Sequence, residues 1–246
     1  MRSRRENREA SPEDPGTDGE AWRRRLGYLG GWTLLLLLVG GMFRLAGRWD
    51  WAGGWILVSL LTLCHGMGFF YLKRRNPEVL RRRARIGPGT EGWDLWWLFL
   101  FGLLLLGIVV LGALDGGRYG WSSMSPWWRL PGTLLFLSQW YLITWAMAVN
   151  PHFEKTVRIR REGTHEVIRS GPYGFVRHPG YTAIIFGYLL TMPLLLSSWW
   201  AFVPAGLGSF WVVLRTWLED RVLRKGLPGY SGYCREVGYR LIPGIW

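Results

Sequence analysis

Residues Tyr181–Leu214 read YTAIIFGYLLTMPLLLSSWWAFVPAGLGSFWVVL, a run of 34 residues without one Asp, Glu, Lys or Arg. One crossing of a bilayer takes about 20 apolar residues, so this run is too long for a single span and too continuous for a soluble core. Ser197-Ser198 lies near its middle, between Pro193 and Pro204, and divides it into two arms, Tyr181–Ser197 and Trp199–Trp217. Lipid leaves the backbone no partner but itself, so the arms are helical and the whole is a hairpin. The arms are short, and a hairpin that dips into the bilayer fits them as well as one that crosses it.

Upstream lie four more apolar cores, Leu26–Met42, Trp55–Leu72, Leu95–Leu114 and Leu130–Val149, again without an acid or a Lys/Arg. With the hairpin they make about six apolar helices, and the expected fold is an all-α integral membrane protein. The 246 residues are 49% hydrophobic and 16% aromatic, which excludes a disordered chain, and the length of the apolar blocks excludes a soluble globular enzyme. Residues 1–25 are the exception, rich in Arg, Glu, Pro and Gly, and read as a disordered tail. With no apolar segment before the first span and no small-residue cleavage site, that tail is not a secretory signal. Three regions follow: the tail 1–25, a four-helix region 26–149, and a third region 150–246 that holds the hairpin and a C-terminal amphipathic helix.

The formal charge of +13 suggests nucleic acid until the charges are placed. Of the 30 Lys and Arg, 26 fall in the tail, the loop around 73–92, the loop 151–180 and residues 215–246; only Arg44, Arg48, Arg118 and Arg129 fall on the other side. The positive-inside rule therefore puts both termini in the cytoplasm and accounts for the charge by topology, with no nucleic-acid partner. Trp49, Trp51, Trp121, Trp127, Trp128, Trp199 and Trp200 fall at span ends, as interfacial anchors do. Cys64 and Cys234 are expected as free thiols on the reducing side. The spans lack the carboxylates of a proton- or ion-coupled transporter; His65 and Gln139 are their only mild exceptions. The four histidines, His65, His152, His165 and His178, show no ligand pairing, so no metal is expected. No Gly-rich dinucleotide loop or P-loop occurs.

Unusual residues are densest in the last third. Ser170 to Tyr181 reads SGPYGFVRHPGY, and Pro179 forbids helix for His178 while favouring itself as the first helical residue. His178 is thus expected at the mouth of a helix whose free N–H groups suit an anionic ligand group; a plain turn with Arg177 on lipid headgroups is the alternative. Arg215 and Glu219 stand four apart, followed by Asp220. An intrahelical pair in that order contributes only about 0.2–0.5 kcal/mol, so a functional role is favoured. Tyr230, Tyr233 and Val237 share one face of a short amphipathic helix that could roof the helix ends.

Gly171-Pro-Tyr, Arg177-His-Pro-x-Tyr181, Arg215-x-x-x-Glu219-Asp220, Tyr230-x-x-Tyr233-x-x-x-Val237 and Ile242-Pro243 occur in that order. This closely resembles the isoprenylcysteine carboxyl methyltransferase and phospholipid methyltransferase superfamily of membrane enzymes, over about residues 150–246. Asn76-Pro77-Glu78 looks like an element of bacterial members. The resemblance implies S-adenosylmethionine bound at the cytoplasmic ends of the last helices and a lipophilic acceptor entering from the bilayer. Carried over on these motifs, His178, Tyr181, Glu219, Asp220, Tyr230 and Tyr233 are candidate cofactor contacts, and Arg215 with Glu219 the candidate catalytic pair, Arg215 for the acceptor's polar end or for charge balance. The second acid is Asp220 where the family has Glu, which shortens its reach by one methylene.

The chemistry of these side chains agrees with such a cofactor. A helix N-terminus with His178 suits a carboxylate, Glu219 and Asp220 suit hydroxyls or an ammonium, and tyrosine faces suit a sulfonium. Methyl transfer is an in-line displacement, for which a protein supplies alignment and a dry pocket. A carboxylate acceptor needs no base, whereas an amine or thiol does, and only His178 or Tyr233 could serve. This leans toward a carboxylate or an already ionised thiol; the resemblance implies an isoprenylcysteine-like carboxylate, with a phospholipid amine or a thiol as alternatives. A nicotinamide-dependent enzyme like the membrane sterol reductases and a non-catalytic membrane scaffold are the rival classes. Arg over Lys usage with abundant Trp and Gly fits a GC-rich bacterial genome, hence a plasma membrane with the site facing the cytoplasm.

Overall fold

The computed structural model describes residues 33–84, 92–153 and 166–246. The tail 1–25, the first part of the helix expected from Leu26, and His165 lie outside the described residues. Helix α1 is Thr33–Ala46. The chain divides into two compact units, Met1–Gly41 and Met42–Trp246; the architecture below is that of the second.

Helix α2 is Ala52–Arg75 and short α3 is Pro77–Arg83. Helix α4 is Gly92–Tyr119, its last two turns Ala113–Tyr119 widened into a π-helix. Helix α5 is Arg129–Val149, led in by a 3-10 turn at Pro126–Trp128. Helix α6 is Pro179–Leu196, with a π-helical segment at Ile185–Leu189, and α7 is Phe202–Gly226. Helix α8 is Tyr230–Glu236. All the regular structure of the described residues is helical. Helices α2, α4, α5 with its lead-in, and α6 are long and apolar enough to cross a membrane. They are four of the six helices read from the sequence. Helix α1 is described over a shorter stretch, and α7 continues past its apolar part into Arg215–Lys225. Phe99, Leu103, Leu134 and Phe210 are exposed on these helices, a surface that water would not tolerate and lipid does.

The hairpin turn falls at Ser197-Ser198, as its sequence suggests, with arms somewhat displaced from the expected limits. Ser197 adopts the left-handed region (φ 55°), and Arg129 donates to its hydroxyl at 3.0 Å. The Ser198 hydroxyl donates to Asp115 at 2.6 Å, and the Ser122 amide donates to the other Asp115 oxygen at 2.7 Å. The close approach needs Gly116, since a Cβ there would collide with the Leu196 carbonyl oxygen. Trp51, expected as an interfacial anchor, is instead buried beside Phe43, under Gly54 and Gly117. The other six tryptophans of that set are exposed.

The opposite end of the bundle gathers the α2–α3 junction, the start of α4, the end of α5, the start of α6 and the end of α7. Asn76 ties the first of these to α5 by donating to the Met147 carbonyl at 2.8 Å, and Pro77 opens α3 at its first position. Glu78 holds Arg81 and Arg82, both at 2.7 Å, and Arg82 reaches Nδ1 of His152 at 2.8 Å. The Asn76-Pro77-Glu78 element thus acts as a hinge plate joining three helix ends. His65, one of the two mild exceptions in the spans, is exposed on α2 with Nδ1 at 2.7 Å from the Leu61 carbonyl oxygen.

Candidate functional site

At this end the start of α6, the end of α7, α8 and residues 166–177 enclose a cavity of about 370 Å³. That volume falls in the range of small-molecule sites, about 300–1,000 Å³. Trp97, Leu98, Phe101, Ile143 and Ile184 line its apolar half, and Arg177, His178, Glu219, Tyr230 and Tyr233 line its polar half.

Pro179 is the first residue of α6, as its position before the apolar run predicts. The donors free for an anion at that helix start are fewer than expected. Proline has none, and the Tyr181 and Thr182 amides donate to the His178 carbonyl at 3.0 and 3.2 Å. The strand-like approach to α6 is fastened to the C-terminal segment instead. Arg177 and His178 amides donate to the carbonyls of Tyr239 and Arg240, each at 2.9 Å, and the Thr182 hydroxyl donates to Leu241 at 2.8 Å. Gly180 is required here because Phe153 lies where its Cβ would be.

Arg215 and Glu219 line the cavity together, but their side chains go to different partners. Arg215 forms an ion pair with Asp94 of α4 at 2.9 Å and lies 4.1 Å from the centroid of Trp97 and 5.7 Å from that of Tyr181. Glu219 accepts a short hydrogen bond from the Tyr181 hydroxyl. The Tyr181 ring in turn stacks on His178, with ring centroids 5.7 Å apart. One continuous face of imidazole, phenol and guanidinium therefore runs along the cavity wall.

Asp220 stands behind that wall, only 1% exposed. Its Oδ1 accepts from Arg177 and from the Tyr230 hydroxyl, both at 3.0 Å, with the His178 Nε2 at 3.6 Å. Its Oδ2 accepts from Arg224 at 3.0 Å and Arg240 at 3.1 Å. Burial alone would raise the Asp220 carboxyl; the His178 ring, the Arg177 charge and the Tyr230 hydroxyl outweigh it and hold the group well below the ordinary carboxylate range. Tyr233 donates to the Tyr173 carbonyl at 2.7 Å, and burial pushes its phenol far above the ordinary value. Burial, then the neighbouring Asp220 and Glu219, does the same to Tyr230.

Of the seven candidate residues, His178, Tyr181, Arg215, Glu219, Tyr230 and Tyr233 thus meet at one cavity, and Asp220 meets them from outside it. Tyr230, Tyr233 and Val237 are buried on the shared face expected of them, although α8 ends at Glu236. Sequence reasoning missed Asp94, Trp97 and Arg83. Asp94 sits one residue before an apolar core and reads as its polar border, and Arg83 hides in a run of three arginines.

The comparison with known families now has a geometry to be set against. Residues 132–225 match the isoprenylcysteine carboxyl methyltransferase (ICMT) family. The match begins within α5 rather than at residue 150, and it stops before Tyr230, Tyr233 and Ile242-Pro243. It covers His178, Tyr181, Arg215, Glu219 and Asp220. No curated protein matches the chain. The resemblance read from the motifs is therefore supported over its central part, and it is a resemblance to methyltransferases. The four apolar helices and this match support an integral membrane protein, of which residues 132–225 are similar to methyltransferases.

Proposed function

We propose that the protein transfers a methyl group from S-adenosylmethionine to a lipophilic acceptor, a carboxylate of the isoprenylcysteine kind, at the cytoplasmic face of a bacterial plasma membrane. The observation that carries this is the two-sided cavity, polar where the matched motifs converge and apolar toward α4 and α5. The sidedness is supported by the charge distribution. Lys73, Arg169, Arg177 and Arg240 belong to the cavity end of the described bundle, and Arg48, Arg118 and Arg129 to the hairpin-turn end.

The residues present fit such a cofactor. Arg177 lines the cavity with Nη2 buried and without a hydrogen-bond partner among the described residues, a donor suited to a carboxylate. Glu219 suits an ammonium or ribose hydroxyls, and the aligned His178 and Tyr181 rings offer π faces to a positive sulfur. When bound, the cofactor would supply a methyl group on a sulfonium, the sulfur keeping the bonding pair as the acceptor oxygen forms the new C–O bond.

The chain's own residues then have limited tasks. Arg177 and Glu219 hold the polar ends, and the rings of Tyr181 and Trp97 flank the reacting space. The apolar half excludes water. Neither candidate base is free to act as one. Tyr233 donates its proton to a carbonyl and is far too weak an acid to exist as phenolate, and His178 faces Asp220 and Tyr230. An acceptor that arrives already ionised requires no base, which supports the carboxylate over an amine or a thiol.

Calorimetry on detergent-purified protein is the test, with S-adenosylmethionine, its demethylated product and NADPH as ligands. Binding of the first two and not the third is expected. Selective NADPH binding would turn the reading toward a reductase, and no binding of any toward a scaffold. Incubating membranes with methyl-labelled cofactor should place label in a base-labile ester, as a carboxylate acceptor requires.

A further inference from the structure

Three guanidiniums reach the cavity wall, and two have carboxylates of their own. Arg177 is held by Asp220 at 3.0 Å and Arg215 by Asp94 at 2.9 Å. Arg83 is different. It ends α3, is half-buried, and faces the cavity; its guanidinium carbon lies 5.2 Å from the centroid of the Phe153 ring. No carboxylate pairs with it among the described residues, although its neighbours Arg81 and Arg82 both have Glu78. Burial lowers its affinity for the proton, the nearby Tyr188 and Tyr181 oppose that, and Arg215 adds to it; no acid among the described residues contributes. A guanidinium stays charged in a protein regardless.

A charge withdrawn from water without a counter-ion is costly, and structures keep one where something supplies the missing anion. The position of Arg83 says what that anion is attached to. Phe153 beneath it is pressed onto Gly180, which brings the guanidinium to the first turn of α6, next to the apolar half of the cavity. A ligand with an oxyanion at one end and a hydrocarbon body would fill both. Arg83 also lies outside the matched segment 132–225.

We infer that Arg83 binds the carboxylate of the lipophilic acceptor and selects anionic acceptors over neutral or cationic ones. This rests on the methyl-transfer reading for its substrate, and the test separates the two. Wild type, Arg83→Met and Arg83→Lys are compared in detergent by calorimetry, with N-acetyl-S-farnesylcysteine, its carboxamide, phosphatidylglycerol and S-adenosylhomocysteine as probes. A lost charge-assisted hydrogen bond predicts that Arg83→Met binds the acid about tenfold to a hundredfold more weakly. It should bind the carboxamide and S-adenosylhomocysteine as wild type does, and Arg83→Lys should recover part of the loss.

Equal losses for acid and carboxamide, or no loss for either, would overturn the inference, as would binding of phosphatidylglycerol at Arg83 with no affinity for the acid. Wild type that binds S-adenosylhomocysteine and not the acid would also overturn it, leaving the methyl-transfer reading intact. Arg83-dependent binding of the acid by a protein that binds no S-adenosyl ligand would uphold it while removing that reading.

Discussion

Asp115 and Asp220 are both buried to within 1% and lie at opposite ends of the same bundle, yet they are satisfied in opposite ways. Asp115 is held by the hydroxyls of Ser122 and Ser198 and by the Ser122 amide, all uncharged donors from the hairpin turn and its neighbouring loop. Asp220 is held by three guanidiniums, a phenol and an imidazole edge drawn from four stretches of chain. The first arrangement closes a turn. The second leaves more positive charge than its single carboxylate can neutralise, and it borders a cavity. The difference separates a fastening from a site: the Asp220 cluster is built with an excess that a ligand carrying negative charge would complete.

The largest effect expected of any substitution here is at the charged end. Asp220→Asn would leave Arg177, Arg224 and Arg240 facing a neutral amide, and removing one partner of a buried ion pair costs about 3–5 kcal/mol. Thermal or denaturant unfolding in detergent should register that loss. Since the folded-state pKa of Asp220 lies below its unfolded value of about 3.9, its contribution is fully present above that value and fades only as pH falls through the folded pKa. Wild-type stability from this group should therefore be flat from about pH 6 to 8, and a loss of stability on moving from pH 6 to 8 would contradict the assignment. Asp115→Asn should cost less, about 1–3 kcal/mol, because serine hydroxyls can turn to meet an amide. It should leave S-adenosylhomocysteine affinity unchanged, and a comparable loss of affinity at both ends would erase the distinction drawn between them.

Legibility in the sequence follows the same division. The helices and the hairpin were readable because uninterrupted apolar runs admit one backbone solution in lipid, and Ser197-Ser198 interrupts the longest of them near its centre. Asp94 and Asp115 each stand one residue beyond an apolar core and read as polar borders. Only the packed bundle reveals that one receives Arg215 and the other the turn. Asp220 was readable as important and not as a hub, since Arg177, Tyr230 and Arg240 approach it from 43, 10 and 20 residues away. The spacing of Arg215 and Glu219 puts both on one helix face, and both line the cavity, but spacing along one helix says nothing about partners on α4 and α6. That is also why Arg215→Ala is a poor probe of catalysis: it would remove the ion-pair partner of Asp94, which is fully buried. Arg215→Lys keeps the charge beside Asp94 and removes the planar group over Trp97, so it is the sharper variant.

Glu219 tests the cavity side of the wall without disturbing the cluster behind it. It accepts from the Tyr181 hydroxyl, a bond that a glutamine oxygen can also accept. Glu219→Gln should thus change unfolding by less than about 1 kcal/mol while weakening S-adenosylhomocysteine about tenfold, the usual worth of one charge-assisted contact. Unchanged affinity would reduce Glu219 to an anchor for Tyr181.

The smallest effect is expected at a pair that looks strong by distance. Arg169 and Glu236 approach to 2.6 Å and join the segment before a 3-10 turn at Gly171–Gly174 to α8, but their side chains are 48% and 56% exposed. Water and salt screen such a pair, and holding two long side chains in register offsets most of what remains. Arg169→Ala should therefore lower stability by no more than about 1 kcal/mol, and by less in high salt. The residue does not line the cavity, and Tyr173 and Tyr233, which do, are already tied together by the 2.7 Å bond between the Tyr233 hydroxyl and the Tyr173 carbonyl. Cofactor affinity should not move. A loss there as large as that of Glu219→Gln would mean that α8 depends on this exposed pair for its position over the cavity, and that burial of Tyr230 and Tyr233 does not suffice to seat it.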